Sequence, residues 1–169
     1  GSVIFYTLDG GQAGYSVGCT LEQTAKRLIE LGCVQAVALD GGGSTTLGAT
    51  YPVEDSMEIQ NKPSEGTQRS NSTAIFLTTD LQPTGELGSY YLEPRDNILL
   101  SGASVQFSAT PLDTAYFPME TEEEAELLYS LRNGDGTITA DGLFTAGSEG
   151  GITEVAASDG RYEGSASVT

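Results

Sequence analysis

One stretch of the 169-residue sequence concentrates groups that could do chemistry: Asp40-Gly41-Gly42-Gly43-Ser44-Thr45-Thr46. Three consecutive glycines strip side chains from one length of backbone, so its N–H groups can turn inward as an anion-binding nest. Ser44, Thr45 and Thr46 add three hydroxyl donors beside that nest, and Asp40 places a carboxylate at its entrance. Phosphate donors next to a carboxylate suit a ligand that carries both a phosphate and an electrophilic carbon. A tight strand-to-loop turn that merely needs glycine accounts for the same residues. No Gly-Lys-Ser/Thr is present, so the stretch is not a Walker loop. No clear helix follows Ser44, which also sets it apart from dinucleotide-binding glycine loops.

The rest of the sequence limits the partners this loop can have. There is no histidine, which removes Ser-His-Asp and Cys-His catalysis, His-ligated zinc and imidazole acid–base chemistry. Arg69 has a planar fork that pairs with two phosphate oxygens, or equally with a surface carboxylate. Asp9, before Gly10, is either a second site carboxylate or a turn-former. Asn61 is either a ligand contact or a turn residue ahead of Pro63. Asn133-Gly134-Asp135-Gly136 has the look of a calcium loop, but the register fails. With Gly136 at loop position 6, position 1 is Leu131 and position 12 is Gly142, and neither can ligate calcium. No metal and no cofactor are expected.

The formal net charge is −17, divided as −5 over residues 1–80 and −12 over 81–169. Such a surface repels nucleic-acid phosphates and anionic lipid, so no nucleic acid is expected as a partner. No apolar run approaches the ~18 residues that span a bilayer, so no membrane insertion is expected.

These candidates need elements to hold them. Val3–Leu8 is a β-branched and aromatic run and predicts a strand ended by Asp9-Gly10-Gly11. Thr20-Leu21-Glu22-Gln23 reads as a capping box, followed by Leu21, Ala25, Leu28 and Ile29 at helical spacing and by Gly32 as the C′ residue. Val34–Leu39 predicts a buried strand that delivers Asp40, and Thr73–Leu77 a strand that closes the domain. Residues 47–72 read as loops with short strands. After a polar stretch with Pro83, Gly85 and Gly88, the texture changes to short strands at Tyr90–Leu92, Ile98–Leu100, Val105–Ala109, Leu127–Leu131, Thr137–Thr139, Leu143–Ala146, Glu154–Ala157 and Ser165–Val168. Turns separate most of them, as in an immunoglobulin-like β-sandwich. Thr121–Glu126 reads as an acidic helical turn or an exposed loop. The expected fold is an α+β (mixed α/β) partial catalytic domain over 1–80, a linker at 81–87 and an all-β sandwich over 88–169.

Leu39–Thr46 resembles the signature of the phosphodiester glycosidase family, the family of the lysosomal uncovering enzyme. Asp9-Gly10, Gly18-Cys19-Thr20-Leu21, Leu31-Gly32, Asn61-Lys62-Pro63, Gly66 and Arg69 recur in the order of that family. Asn71 and Thr73 depart from its pattern. The resemblance covers about residues 3–78 and implies the C-terminal half of such a domain, with the upstream half of the same domain as a partner. It implies hydrolysis of a sugar-1-phosphodiester, with a phosphosugar or glycan as substrate. Asp40 would be the nucleophile or base, Asp9 a second carboxylate and Arg69 the phosphate clamp. Gly41, Gly42, Gly43, Ser44, Thr45, Thr46 and Asn61 would bind substrate. A non-catalytic module that holds a phosphosugar or cell-wall polymer is the alternative. Gly136–Gly147 is similar to the hairpin of bacterial immunoglobulin-like (Big-type) domains, which implies an extracellular or cell-surface bacterial protein.

Cys19 and Cys33 flank the predicted helix and would lie about 20 Å apart along it at 1.5 Å per residue. A disulfide tolerates Cα separations only up to about 7 Å. Thiol titration of the denatured, non-reduced protein is therefore expected to find two free thiols, and finding none would remove the helix between them.

Overall fold

The helix is the part of the first unit that the local sequence specifies most fully. In the computed structural model, which describes residues 2–95, 97–121 and 126–169, α1 spans Leu21–Glu30. Thr20 is its N-cap. Its Oγ1 accepts from the Gln23 N–H at 3.2 Å, and its own N–H donates to Gln23 Oε1 at 2.8 Å, which completes the expected capping box. At the other end Gly32 adopts φ 84°, where a Cβ would be strained. The Gly32 N–H then reaches the Ile29 carbonyl and the Cys33 N–H the Leu28 carbonyl, both at 2.9 Å, in a Schellman closure. Glu22 in the first turn and Arg27 in the last complement the helix dipole. Cys19 and Cys33 are free thiols.

The chain divides into two compact units, Gly1–Thr78 and Thr79–Thr169. Besides α1, the first unit forms one small antiparallel pair, β1 (Gly48–Ala49) with β2 (Glu58–Ile59). The strands expected at 3–8, 34–39 and 73–77 do not form. These segments have no ladder partner among the described residues, and their apolar side chains stay exposed: Val3 79%, Val34 97%, Phe76 74%. The physical reason is that β-propensity describes fit to a pleated, half-buried surface. It makes no strand until a neighbouring chain takes the backbone N–H and C=O groups. The apolar face of α1 is likewise uncovered, with Leu21 and Ile29 exposed. An α+β layer is thus not assembled in this unit.

Every helix or strand among the described residues of the second unit is a strand. β3 (Leu87–Glu93) pairs antiparallel with β5 (Ser108–Asp113). β9 (Thr153–Ser158) lies between β6 (Leu128–Asn133) and β10 (Glu163–Val168). β8 (Leu143–Ala146) lies between β4 (Ser104–Gln106) and β7 (Gly136–Ile138), so the expected 136–147 hairpin is present. The three sheets share one core of Tyr90, Leu92, Phe107, Phe144, Val155, Ala157, Ala166 and Val168. Phe107 and Phe144 meet edge to face, with ring centroids 6.5 Å apart. Gly164 allows β10 and β3 to approach closely, since a Cβ there would collide with the Tyr90 carbonyl oxygen. The expected strand at 98–100 is instead a single bridge. Thr169 N–H donates to the Asn97 carbonyl and Leu99 N–H to the Thr169 carbonyl, while Ile98 and Leu100 face outward. Of the acidic stretch at 121–126, residues 122–125 lie outside the described residues. Among those described, no helix is long and apolar enough to cross a membrane.

One buried carboxylate organises the entry to this unit. Asp113, 1% exposed, accepts the N–H groups of Thr84 (2.5 Å), Gly85 (3.2 Å), Ala115 (2.8 Å) and Phe117 (2.9 Å). The turn it closes holds Tyr116 at φ 67°, a left-handed conformation unfavourable for a residue with a Cβ. Burial alone would raise the Asp113 pKa. The N–H groups of Phe117, Thr84, Ala115 and Gly85 outweigh it and hold the carboxyl at about 2. The folded value lies below the unfolded one near 4. Its contribution to stability is therefore complete above about pH 4 and disappears as pH falls through about 2. In Asp113→Asn an amide N–H would face N–H donors. The melting temperature of the second unit's transition is expected to fall by on the order of 5 °C or more at pH 7, and its decline between pH 4 and 2 to flatten relative to wild type.

Candidate functional site

Asp9 ends the extended segment 3–8, and the chain then doubles back through a tight loop in which Gln12 bridges Ser16. Ser16 Oγ donates to the Asp9 carbonyl at 2.6 Å and fixes the loop base. The return brings Tyr15 over the Asp9 side chain, where its hydroxyl donates to Oδ2 at 3.0 Å. From 53 residues further on, the Lys62 N–H donates to both Asp9 oxygens, at 3.1 and 3.0 Å, and Asn61 Nδ2 donates to Oδ1 at 3.3 Å. Gln12 Nε2 ties the same strap by donating to the Lys62 carbonyl at 2.8 Å. The Lys62 ammonium sits 4.4 Å from the centre of the Tyr15 ring, within cation–π range. Partial burial works against ionisation of Asp9. The Lys62 N–H, Tyr15, Asn61 and the Lys62 charge outweigh it, and the carboxyl is held below its usual value. Its hydrogen bond to Asp9 in turn raises the Tyr15 pKa.

Asn61 carries this organisation to the glycine loop. Its second Nδ2 donation goes to the Thr45 carbonyl at 3.0 Å, and its Oδ1 accepts the Leu47 N–H at 2.7 Å. One side chain therefore pins three segments: the Asp9 loop, the Gly-rich loop and its own strap. The glycine loop closes on itself as a turn in which the Thr45 N–H donates to the Gly42 carbonyl at 3.0 Å, with Gly42 at φ 110°. Asn71 donates to the Ser44 carbonyl at 3.4 Å, and Thr46 Oγ1 donates to the same oxygen at 3.4 Å.

The candidate residues fall into three places. Asp9, Gly42, Thr45 and Asn61 line one open cleft of about 150 Å³, together with Leu8, Gly10, Lys62 and Ser64. Gly43 lies under the side chain of Glu65, which Arg69 grips through Nε at 2.7 Å and through Nη2. The hydrogen bonds from Arg69 pull the Glu65 carboxyl below its usual range, against some burial and with help from the Arg69 charge. Arg69 thus stands in the carboxylate pair, the plainer of its two sequence readings. Asp40 is exposed, does not line the cleft, and has no hydrogen-bond or ion-pair partner among the described residues. Tyr15, Lys62 and Ser64 escaped the sequence reading. Only Lys62, inside Asn61-Lys62-Pro63, carried a signal that could have found it. Among the described residues no group of three or more Cys, Asp or Glu could hold a metal ion. The Asp135 carboxylate, in the calcium-like stretch, instead accepts the Glu149 N–H at 2.9 Å.

A cleft of this size is about half the smallest pocket usual for a small-molecule ligand. It offers one wall with a fixed carboxylate, an ammonium, an amide and hydroxyls, which is enough to orient a polar ligand and too little to enclose one. Residues 1–78 match the sequence model of the phosphodiester glycosidase family. No curated protein sequence matches the chain. The match relates the first unit to glycosidase-type hydrolases.

Asn61→Ala would free the Leu47 N–H and the Thr45 carbonyl together and remove one of the donors to Asp9 Oδ1. Amide hydrogen exchange at Leu47 and Lys62 is expected to speed up by about tenfold, the loss of on the order of 1 kcal/mol per hydrogen bond. Exchange inside α1 should be unchanged. Unaltered exchange at Leu47 would show that the amide does not pin the loop.

Proposed function

We propose that the first unit takes part in hydrolysing the glycosidic bond of a sugar-1-phosphodiester. The observation that carries this reading is the family match over residues 1–78, which contains the Asp40–Thr46 loop. The bond to be broken joins the anomeric carbon to a phosphate oxygen, and the leaving phosphomonoester is already a weak base. Strong general-acid help is then less necessary than in an ordinary glycosidase. What the reaction still requires is a carboxylate near the anomeric carbon and donors around the phosphate.

The carboxylates divide between two roles. The Asp9 oxygens already receive three donors and serve as a bracket that fixes Lys62, Asn61 and Tyr15. Asp40 has free lone pairs and is the group available to act as nucleophile or base. Gly41, Gly42 and Gly43 would present backbone N–H groups, and Ser44, Thr45 and Thr46 hydroxyls. Arg69 would clamp the phosphate when it leaves Glu65. The remaining walls would come from the upstream half of the same domain. The exposed apolar segments at 3–8, 34–39 and 73–77 support this, because strand-forming sequence without a ladder is surface waiting for a partner strand. The second unit, with its Big-type hairpin, would be an immunoglobulin-like spacer of an extracellular or cell-surface bacterial protein.

With the upstream half restored, the domain is expected to hydrolyse a sugar-1-phosphodiester, and the 169-residue chain alone to be inactive. Asp40→Asn keeps shape and hydrogen bonding but loses the charge, so turnover should collapse while substrate binding persists. Arg69→Lys keeps charge but loses the fork, weakening binding and turnover by roughly ten- to a hundredfold. Steady-state kinetics beside equilibrium binding separate these effects. Unchanged turnover in a folded Asp40→Asn protein would overturn the mechanism. Binding without cleavage of any diester would favour a non-catalytic module that holds a phosphosugar or cell-wall polymer.

A further inference from the structure

We infer that Glu65 is an internal counter-anion of the glycine loop, seated where a ligand's phosphate would sit, so that any anion binding to Arg69 must displace it. This rests on the reading of Arg69 as the phosphate fork. Three observations place Glu65 in that role. First, Arg69 holds it through Nε and Nη2 together, the two-point grip that a guanidinium also gives to two phosphate oxygens. Second, the carboxylate lies directly on the loop. A Cβ added at Gly43 would come within 2.5 Å of Glu65 Oε1 and 2.6 Å of Cδ. Third, the pair does not follow from helical i,i+4 spacing, because residues 63–69 are not helical. A turn in which the Gly66 N–H donates to the Pro63 carbonyl at 2.9 Å presents Glu65 to the loop.

The contact is built to be broken. Both side chains are about half exposed, 53% for Arg69 and 47% for Glu65, and ion pairs at such exposure are held only weakly. An incoming phosphate offers the same two-point geometry, so displacement exchanges one set of charge-assisted hydrogen bonds for another. Glu65 would then lower the affinity of the site for every anion. The effect matters most for products. A phosphodiester carries one negative charge and a phosphomonoester close to two at pH 7. An arginine with no internal competitor would retain the product more strongly than the substrate, and a returning Glu65 opposes that retention.

The test is titration of the full 169-residue chain with inorganic phosphate, followed by calorimetry and by the NMR signal of the Arg69 Nε–H. Glu65→Gln is expected to bind phosphate roughly tenfold more tightly than wild type, and Glu65→Gln with Arg69→Gln to lose that gain. Gly43→Ala offers a second route. Its Cβ would push the flexible end of Glu65 away while the loop N–H groups remain, so it too should bind phosphate more tightly. Unchanged affinity in folded Glu65→Gln, or no saturable binding by it, overturns the inference. If Glu65→Gln fails to fold, unchanged affinity in Gly43→Ala does the same. The readout is binding rather than turnover. A completed domain that cleaves no diester would therefore sink the proposed reaction and leave this inference standing. Diester cleavage with unchanged phosphate affinity in Glu65→Gln would do the reverse.

Discussion

A backbone N–H that no ladder takes up must find an oxygen elsewhere, and in this protein side-chain carboxylates and amides supply it. With 24 acidic residues against 7 basic ones, carboxylates are the abundant acceptors. Asp113 gathers four N–H groups from two segments about 30 residues apart and so fixes where the second unit's first strand begins. Asp9 does the same in the first unit with the Lys62 N–H, the Asn61 amide and the Tyr15 hydroxyl. Asn61 extends that bracket to the glycine loop by donating to Thr45 and accepting from Leu47. Remove these acceptors and the loops around the cleft have little else to define them, because none of the first unit's described residues is buried.

The same rule sorts the carboxylates of the candidate site. A carboxylate whose lone pairs are saturated is ionised, fixed and poorly placed to attack a carbon, which is the condition of Asp9. Glu65 is held differently, by the single half-exposed guanidinium of Arg69. Asp40 is exposed and has no hydrogen-bond or ion-pair partner among the described residues. Three acids of the same chemistry thus stand in three different states, set by the donors around each.

The two units differ in how their β-forming sequence is used. In the second, β9 and β8 each lie between two neighbours, and side chains from all three sheets meet in one core around Phe107, Phe144 and Val155. In the first, segments of equal or greater β-propensity lie open. Burial of apolar surface is cooperative with hydrogen bonding, since a strand that gains a partner gains both at once. Val34 and Val37, nearly fully exposed, mark where that gain has not been realised.

Local chemistry was readable from the sequence wherever a few adjacent residues settle it. Thr20 and Gln23 cap α1, Gly32 ends it, and Gly136–Gly147 turns as a hairpin, because each depends on contacts within about ten residues. The Asp40–Thr46 loop was legible as an unusual object for the same reason. Partnership across long separations was not. Asp9 and Lys62 are 53 residues apart, and no spacing rule joins an Asp-Gly turn to a backbone N–H that far away. Asn61 could be read as a ligand contact or a turn residue, and only the fold revealed it as the pin between three segments. Arg69 was open to a phosphate or a carboxylate, and the turn at Pro63–Gly66 decided that Glu65 holds it. The strands at 3–8, 34–39 and 73–77 show the limit from the other side: sequence sets a segment's capacity to be a strand, and tertiary structure decides whether it becomes one, because the hydrogen bonds that make it a strand belong to its neighbour.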